Sequence, residues 1–80
     1  MNPTCDLILR LLAELAPEID PASIDLEVPL RDQVDLDSMD TLTLMEAVAG
    51  HTGVDVPERD YPLVASVAAL ARYADAHRPA

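Results

Sequence analysis

Ser38 is the residue whose setting is most suggestive of chemistry in this 80-residue chain. It lies in Val34-Asp35-Leu36-Asp37-Ser38-Met39-Asp40, where a polar connection gives way to an apolar run at helical spacing. The start of a helix directs its first residues away from the core, so this hydroxyl is expected at the surface. No general base is in view to activate it, which argues against a self-activated nucleophile. The setting suits modification by another enzyme, whose basic side chains would use Asp37 and Asp40 as handles. The competing reading is plain: a helix-start serine often does no more than satisfy backbone donors, and short motifs have many chance matches.

Other chemistry is poorly represented. His51 and His77 are too far apart in the chain to suggest a paired metal motif, so each is read as a surface or packing residue. There is no glycine-rich phosphate cradle, no lysine and no nucleophile–base arrangement, so no enzyme is expected. The acids around residues 32–40 lack the Gly and Glu positions of an EF-hand, and no metal site is expected there. Cys5 is the only cysteine, which excludes an internal disulfide. It reads as a small buried residue in a reducing compartment.

Fifteen acids face five bases, all Arg, for a formal net charge of −10. Nucleic acid and anionic membranes are poor partners for such a chain, whereas a basic protein surface is its natural complement. No apolar run reaches membrane-spanning length, and the first residues lack the order of a signal peptide, so a cytoplasmic protein without membrane insertion is expected. Twelve Leu, seven Val and three Ile supply one small core, and the expectation is a single domain over residues 1–80. With only Tyr61 and Tyr73 as aromatics, a sandwich or barrel is disfavoured.

The elements that position Ser38 follow from periodicity and punctuation. Leu7, Ile8, Leu11, Leu12 and Leu15 predict an amphipathic helix at about residues 3–16, capped by Asn2, opened by Pro3 and ended by Pro17. Asp6, Arg10 and Glu14 are spaced to pair weakly on its outer side. Residues 17–36 form a long connection, with a possible helical turn after Asp20-Pro21 and apolar residues that pack it across the helices. The alternation over Ile24–Val28 has no partner strand, so no strand is expected. A second helix begins at Asp37 or Ser38, with Asp37 and Asp40 forming a capping box and Gly50 and Gly53 marking its end. Its apolar rows are wider than one core-facing stripe needs. Glu58–Val64 holds a brief turn limited by Pro62. Ser66 then caps a last helix with Val67, Leu70, Ala71 and Ala74 inward and Pro79 beyond its end. Short loops make the second and last helices natural packing neighbours. The fold class is all-α: a small bundle with three main helices, one short helix and a long first loop.

Asp37-Ser38-Met39-Asp40 resembles the Asp-Ser-Leu-Asp motif of acyl carrier proteins, in particular the standalone bacterial type II kind, with Met39 in place of the usual Leu. Gly53-Val54-Asp55-Val56-Pro57 resembles the family's segment after its second helix, Ser66-Val67 its last helix start, and Tyr73 falls where the family often has Tyr. The resemblance covers nearly the whole chain. It implies a four-helix acyl-carrier-like bundle in which Ser38 carries a covalent 4′-phosphopantetheine arm derived from coenzyme A. It implies acyl cargo held as a thioester in fatty-acid, polyketide or specialised lipid biosynthesis. The departures are Thr43 where the family usually has Glu, Glu46 where a large apolar residue is common, and Ala47-Val48-Ala49-Gly50-His51 in place of several acids. They point toward a dedicated pathway. The lead-in lacks the Gly-Gly typical of peptidyl carriers, which makes an amino-acyl cargo less fitting.

On this reading Asp35, Asp37, Met39, Asp40 and Leu42 form the partner-docking set. Asp32 and Asp35 read first as solvated loop acids, and Leu44, Val48, Val67 and Leu70 as core. Met39 is expected to be at least partly exposed, where methionine suits several partners. A groove between the second helix and the short or last helix would shelter the cargo. The implied partners are a phosphopantetheinyl transferase and acyl-loading and acyl-processing enzymes with basic docking surfaces, engaged by a monomer. The alternative is an acidic helical interaction module that carries nothing.

Overall fold

The structure, a computed structural model, describes residues 2–78. Asn2 accepts from the amides of Thr4 and Cys5, and Pro3 opens α1, Pro3–Leu15. The helix stops where expected, at an extended Ala16 before Pro17. Its apolar spacing places Ile8, Leu11 and Leu12 in the core. Burial of each such side chain contributes roughly 1.5–3 kcal/mol. Asp6, Arg10 and Glu14 form no ion pair among the described residues. Among the described residues the ion pairs are Arg72–Glu27 and Arg78–Asp75, both well exposed and therefore weak.

The long connection contains the expected turn at Pro21–Ser23 and a second, unexpected one at Leu30–Asp32. No strand forms among the described residues. Backbone hydrogen bonds fasten this connection to the far end of the chain: the Leu30 amide donates to the Ala65 carbonyl and the Ala68 amide to the Leu26 carbonyl, each at 2.8 Å. Gln33 organises its interior. Its side chain donates to the Asp25 and Val28 carbonyls at 2.7 and 2.9 Å and accepts from the Asp25 amide at 2.9 Å. These bonds satisfy backbone groups that no regular element would pair.

Helix α2 spans Ser38–Thr52. Gly53 ends it in a left-handed conformation, φ 76°, which glycine adopts at little cost. Gly50 does not mark the end; it lies inside the helix, whose hydrogen bonding runs on to Thr52. A 3-10 helix follows at Glu58–Val64, and α3 spans Val67–His77, with Ser66 accepting from the Ala69 amide as its cap. Pro79 falls outside the described residues. Val67, Leu70, Ala71 and Ala74 are buried, as their spacing predicts.

The core is shared unevenly among the helices. Helix α1 lies directly against both α2 and α3, whereas α2 and α3 approach each other little, contrary to the expectation from short connections. The physical reason is that the link between them carries the Glu58–Val64 helix, which itself packs on α3. Cys5 is buried; loss of hydration, then the Asp6 and Asp75 carboxylates, pushes its thiol above the ordinary value and keeps it protonated. No helix of the described residues is long and apolar enough to cross a membrane.

The start of α1 and the last turns of α3 meet at Asp75. Its carboxylate accepts from the Thr4 hydroxyl at 2.6 Å and from the Asn2 side-chain amide at 3.2 Å. The Thr4 and Asn2 hydrogen bonds, with Arg78 nearby, hold the Asp75 carboxyl below the usual carboxylate range. A carboxyl whose pKa is lowered by folding stabilises the fold above its unfolded-state value, about 3.9. That contribution is lost as pH falls through the folded-state value. Asp75→Asn is therefore expected to lower stability at neutral pH and to converge with the parent in acid. Urea unfolding across pH would show a constant gap instead if charge played no part.

Candidate functional site

The first turn of α2 is built by Asp37. Its side chain accepts from the Asp40 amide at 2.8 Å, and the Asp40 carboxylate accepts from the Asp37 amide at 3.4 Å. This reciprocal capping box satisfies two of the free donors at the helix start. Both carboxylates also sit at the positive end of the helix dipole. Thr41 donates to the Asp37 carbonyl at 3.1 Å and Thr43 to the Met39 carbonyl at 2.9 Å, so both hydroxyls fold back on the helix.

Ser38 is the first residue of α2, and its side chain is exposed. Because Asp37 does the capping, the Ser38 hydroxyl makes no hydrogen bond among the described residues. The plain reading of Ser38 as a capping serine therefore does not hold. Asp35 and Asp37 are exposed and Asp40 is half-buried. Met39 is 68% exposed and Leu42 43%, so both stand with Ser38 on the outward side of the helix. Leu44, Met45 and Val48 turn inward, which divides the broad apolar surface of α2 into a core face and a solvent face. Asp32 is an exposed loop acid.

Leu63, 66% exposed on the Glu58–Val64 helix, was not marked by the sequence pattern. One leucine beside Pro62 has no periodicity to betray its direction. Beside α2 opens a cleft of about 400 Å³, bounded by the long connection and the Glu58–Val64 helix. Leu36, Thr41, Leu44, Met45, Tyr61 and Val64 are among its lining residues. It lies between the second helix and the short helix, one of the two placements expected. Leu36 and Thr41, which flank Ser38 in the chain, are lining residues, whereas Ser38 itself is not. Among the described residues no cluster of three or more His, Cys, Asp or Glu is arranged to hold a metal ion.

The described residues thus form a small helical bundle with an exposed serine at a capped helix start and an apolar cleft beside the same helix. The chain belongs to the phosphopantetheine attachment site family, whose family model matches residues 6–74. Domains of this family are carriers that hold 4′-phosphopantetheine covalently. No curated protein sequence matches the chain at a significant level.

The capping box yields a stability prediction separate from any role in modification. Asp37→Ala is expected to destabilise the fold by about 0.5–2 kcal/mol, and Asp37→Asn to recover most of that loss. Chemical unfolding of the two variants measures both. Equal losses in the two would show that the cap's hydrogen bond is not the source.

Proposed function

We propose that Ser38 is the attachment residue for the 4′-phosphopantetheine arm and that residues 1–80 act as one acyl carrier unit. The observation that carries this reading is the exposed, uncommitted Ser38 hydroxyl at the capped start of α2, within the matched span. The residues suit the group. A phosphodiester on Ser38 is anionic, and the helix start offers it the positive end of a dipole.

In the modification, the Ser38 Oγ gives up its proton to the transferase and attacks the pantetheine-bearing phosphorus of coenzyme A. A new P–O bond forms, the pyrophosphate bond breaks, and 3′,5′-adenosine bisphosphate leaves. The arm supplies a thiol that holds acyl groups as thioesters. The cleft beside Leu36 and Thr41 shelters such a group between encounters with enzymes.

The docking surface in this proposal is Asp35, Asp37, Met39, Asp40 and Leu42, all on or just before the first turns of α2. Its partners are the transferase and acyl-loading and acyl-processing enzymes with basic faces. Exposed Met39 supplies adaptable apolar contact, and the acids supply steering. A carrier must leave each enzyme between steps, so these contacts are weak and short-lived. The pathway is fatty-acid, polyketide or specialised lipid biosynthesis. The scarcity of acids late in α2, at Ala47-Val48-Ala49-Gly50-His51, favours a dedicated one. The chain works as a monomer in the cytoplasm.

Two measurements test this. Incubation with coenzyme A, magnesium and a phosphopantetheinyl transferase should add one arm mass to the protein and none to Ser38→Ala. An unmodified parent would favour the acidic interaction module, and a modified Ser38→Ala would place the attachment on another residue; either result would sink the assignment. The transferase's apparent affinity should also fall as salt rises, because the Debye length shrinks from about 10 Å at 0.1 M to about 3 Å at 1 M. A salt-insensitive encounter would refute docking through the acids.

A further inference from the structure

Met45 and Tyr61 line two separate cavities. One is the cleft of about 400 Å³ that Leu36 and Thr41 help to line. The other, about 410 Å³, lies further along α2 and is lined by Leu42, Glu46, Ala49, Asp55 and Val56 with the same two side chains. Met45 is buried, 7% exposed, and belongs to the core. Tyr61 is half-buried and packs against that core from the Glu58–Val64 helix. Side chains shared by two neighbouring pockets stand where the two meet. Of the pair, Tyr61 is the larger and the less enclosed. Tyr73 has its hydroxyl 2.8 Å from Asp60 and its ring stacked on His77, whereas Tyr61 has no such tether among the described residues.

The structure assigns Tyr61 as the partition that sets how long an acyl chain the carrier can shelter. This rests on the reading of Ser38 as the attachment residue and goes beyond it to the class of cargo: short straight chains that end at the Tyr61 ring. On this proposal a chain from Ser38 enters past Leu36 and Thr41, the lining residues next to it in sequence, and its further carbons meet Tyr61 and Met45, which the cleft shares with the second pocket. Beyond that partition it would meet the Glu46 and Asp55 carboxylates, which a hydrocarbon does not compensate. Longer chains therefore leave their ends in water.

The test uses the intact chain, loaded by a transferase directly from a series of saturated acyl-coenzyme A donors of increasing length. Mass spectrometry establishes loading before anything else is read. Cargo sheltered in the folded state alone raises the unfolding temperature. In the parent that temperature should climb with chain length and then level off, and thioester cleavage by hydroxylamine should slow over the same range. Tyr61→Ala should move both plateaus to longer chains, and Tyr61→Phe should leave them in place. If Tyr61→Ala does not fold, Tyr61→Leu carries the same comparison. Plateaus unmoved by removal of the ring overturn the partition. A parent that loads yet shows no length dependence overturns the partition and the sheltering but leaves the attachment intact. A chain that gains no mass overturns the attachment and takes the partition with it.

Discussion

The first amides of an α-helix need acceptors, and here the residue before Ser38 provides one. Serine is itself a favoured cap, so a Ser at the start of α2 would ordinarily spend its hydroxyl on the backbone. Asp37 takes that position instead and bonds the Asp40 amide at 2.8 Å, and Asp40 returns the bond. Ser38 is displaced by one residue into the first turn, where its hydroxyl faces solvent. In the proposed carrier role, a free hydroxyl on a rigid helix end is what a flexible arm would be grafted to. The two acids that free it also give the helix start its charge, so under that proposal capping and recognition would draw on the same side chains.

The rest of the bundle holds that helix start beside an apolar cleft. Leu30 and Leu26 tie the long connection to Ala65 and Ala68 through backbone bonds, and Gln33 closes the loop on itself. A connection fixed at both ends can serve as a wall, which a free loop cannot. Helix α1 supplies the common support for α2 and α3, which leaves the other side of α2 open toward the Glu58–Val64 helix. The cleft lies on that side, between α2, the long connection and the Glu58–Val64 helix.

Charge is distributed along α2 rather than spread over it. Asp37 and Asp40 lie at its start with exposed Met39 and Leu42, whereas its later turns carry Gly50 and His51 where acids would extend the surface. In the proposed docking, long-range attraction would act at the Ser38 end, and apolar contact at Met39 and Leu42 only after a partner has arrived, because such contact needs close approach.

Local chemistry was legible in the residues alone. Asn2-Pro3, Pro17, Asp37 with Asp40, Gly53 and Ser66 act within a few bonds of themselves, and each start or stop they predicted is found. The family motif and the exposure of Ser38 and Met39 were likewise readable, because a helix start fixes the direction of its own first turn. Gly50 misled, since an exposed glycine with open space around it is tolerated within a helix already ended by Gly53. What the chain alone did not disclose depends on distant parts of the fold: Thr4 with Asp75, Leu30 with Ala65, Leu63 outward and Tyr61 where two pockets meet. No local pattern encodes these, because each depends on where whole elements come to rest. Tertiary packing also decided which apolar residues of α2 enter the core, since the helix has more of them than α1 can cover.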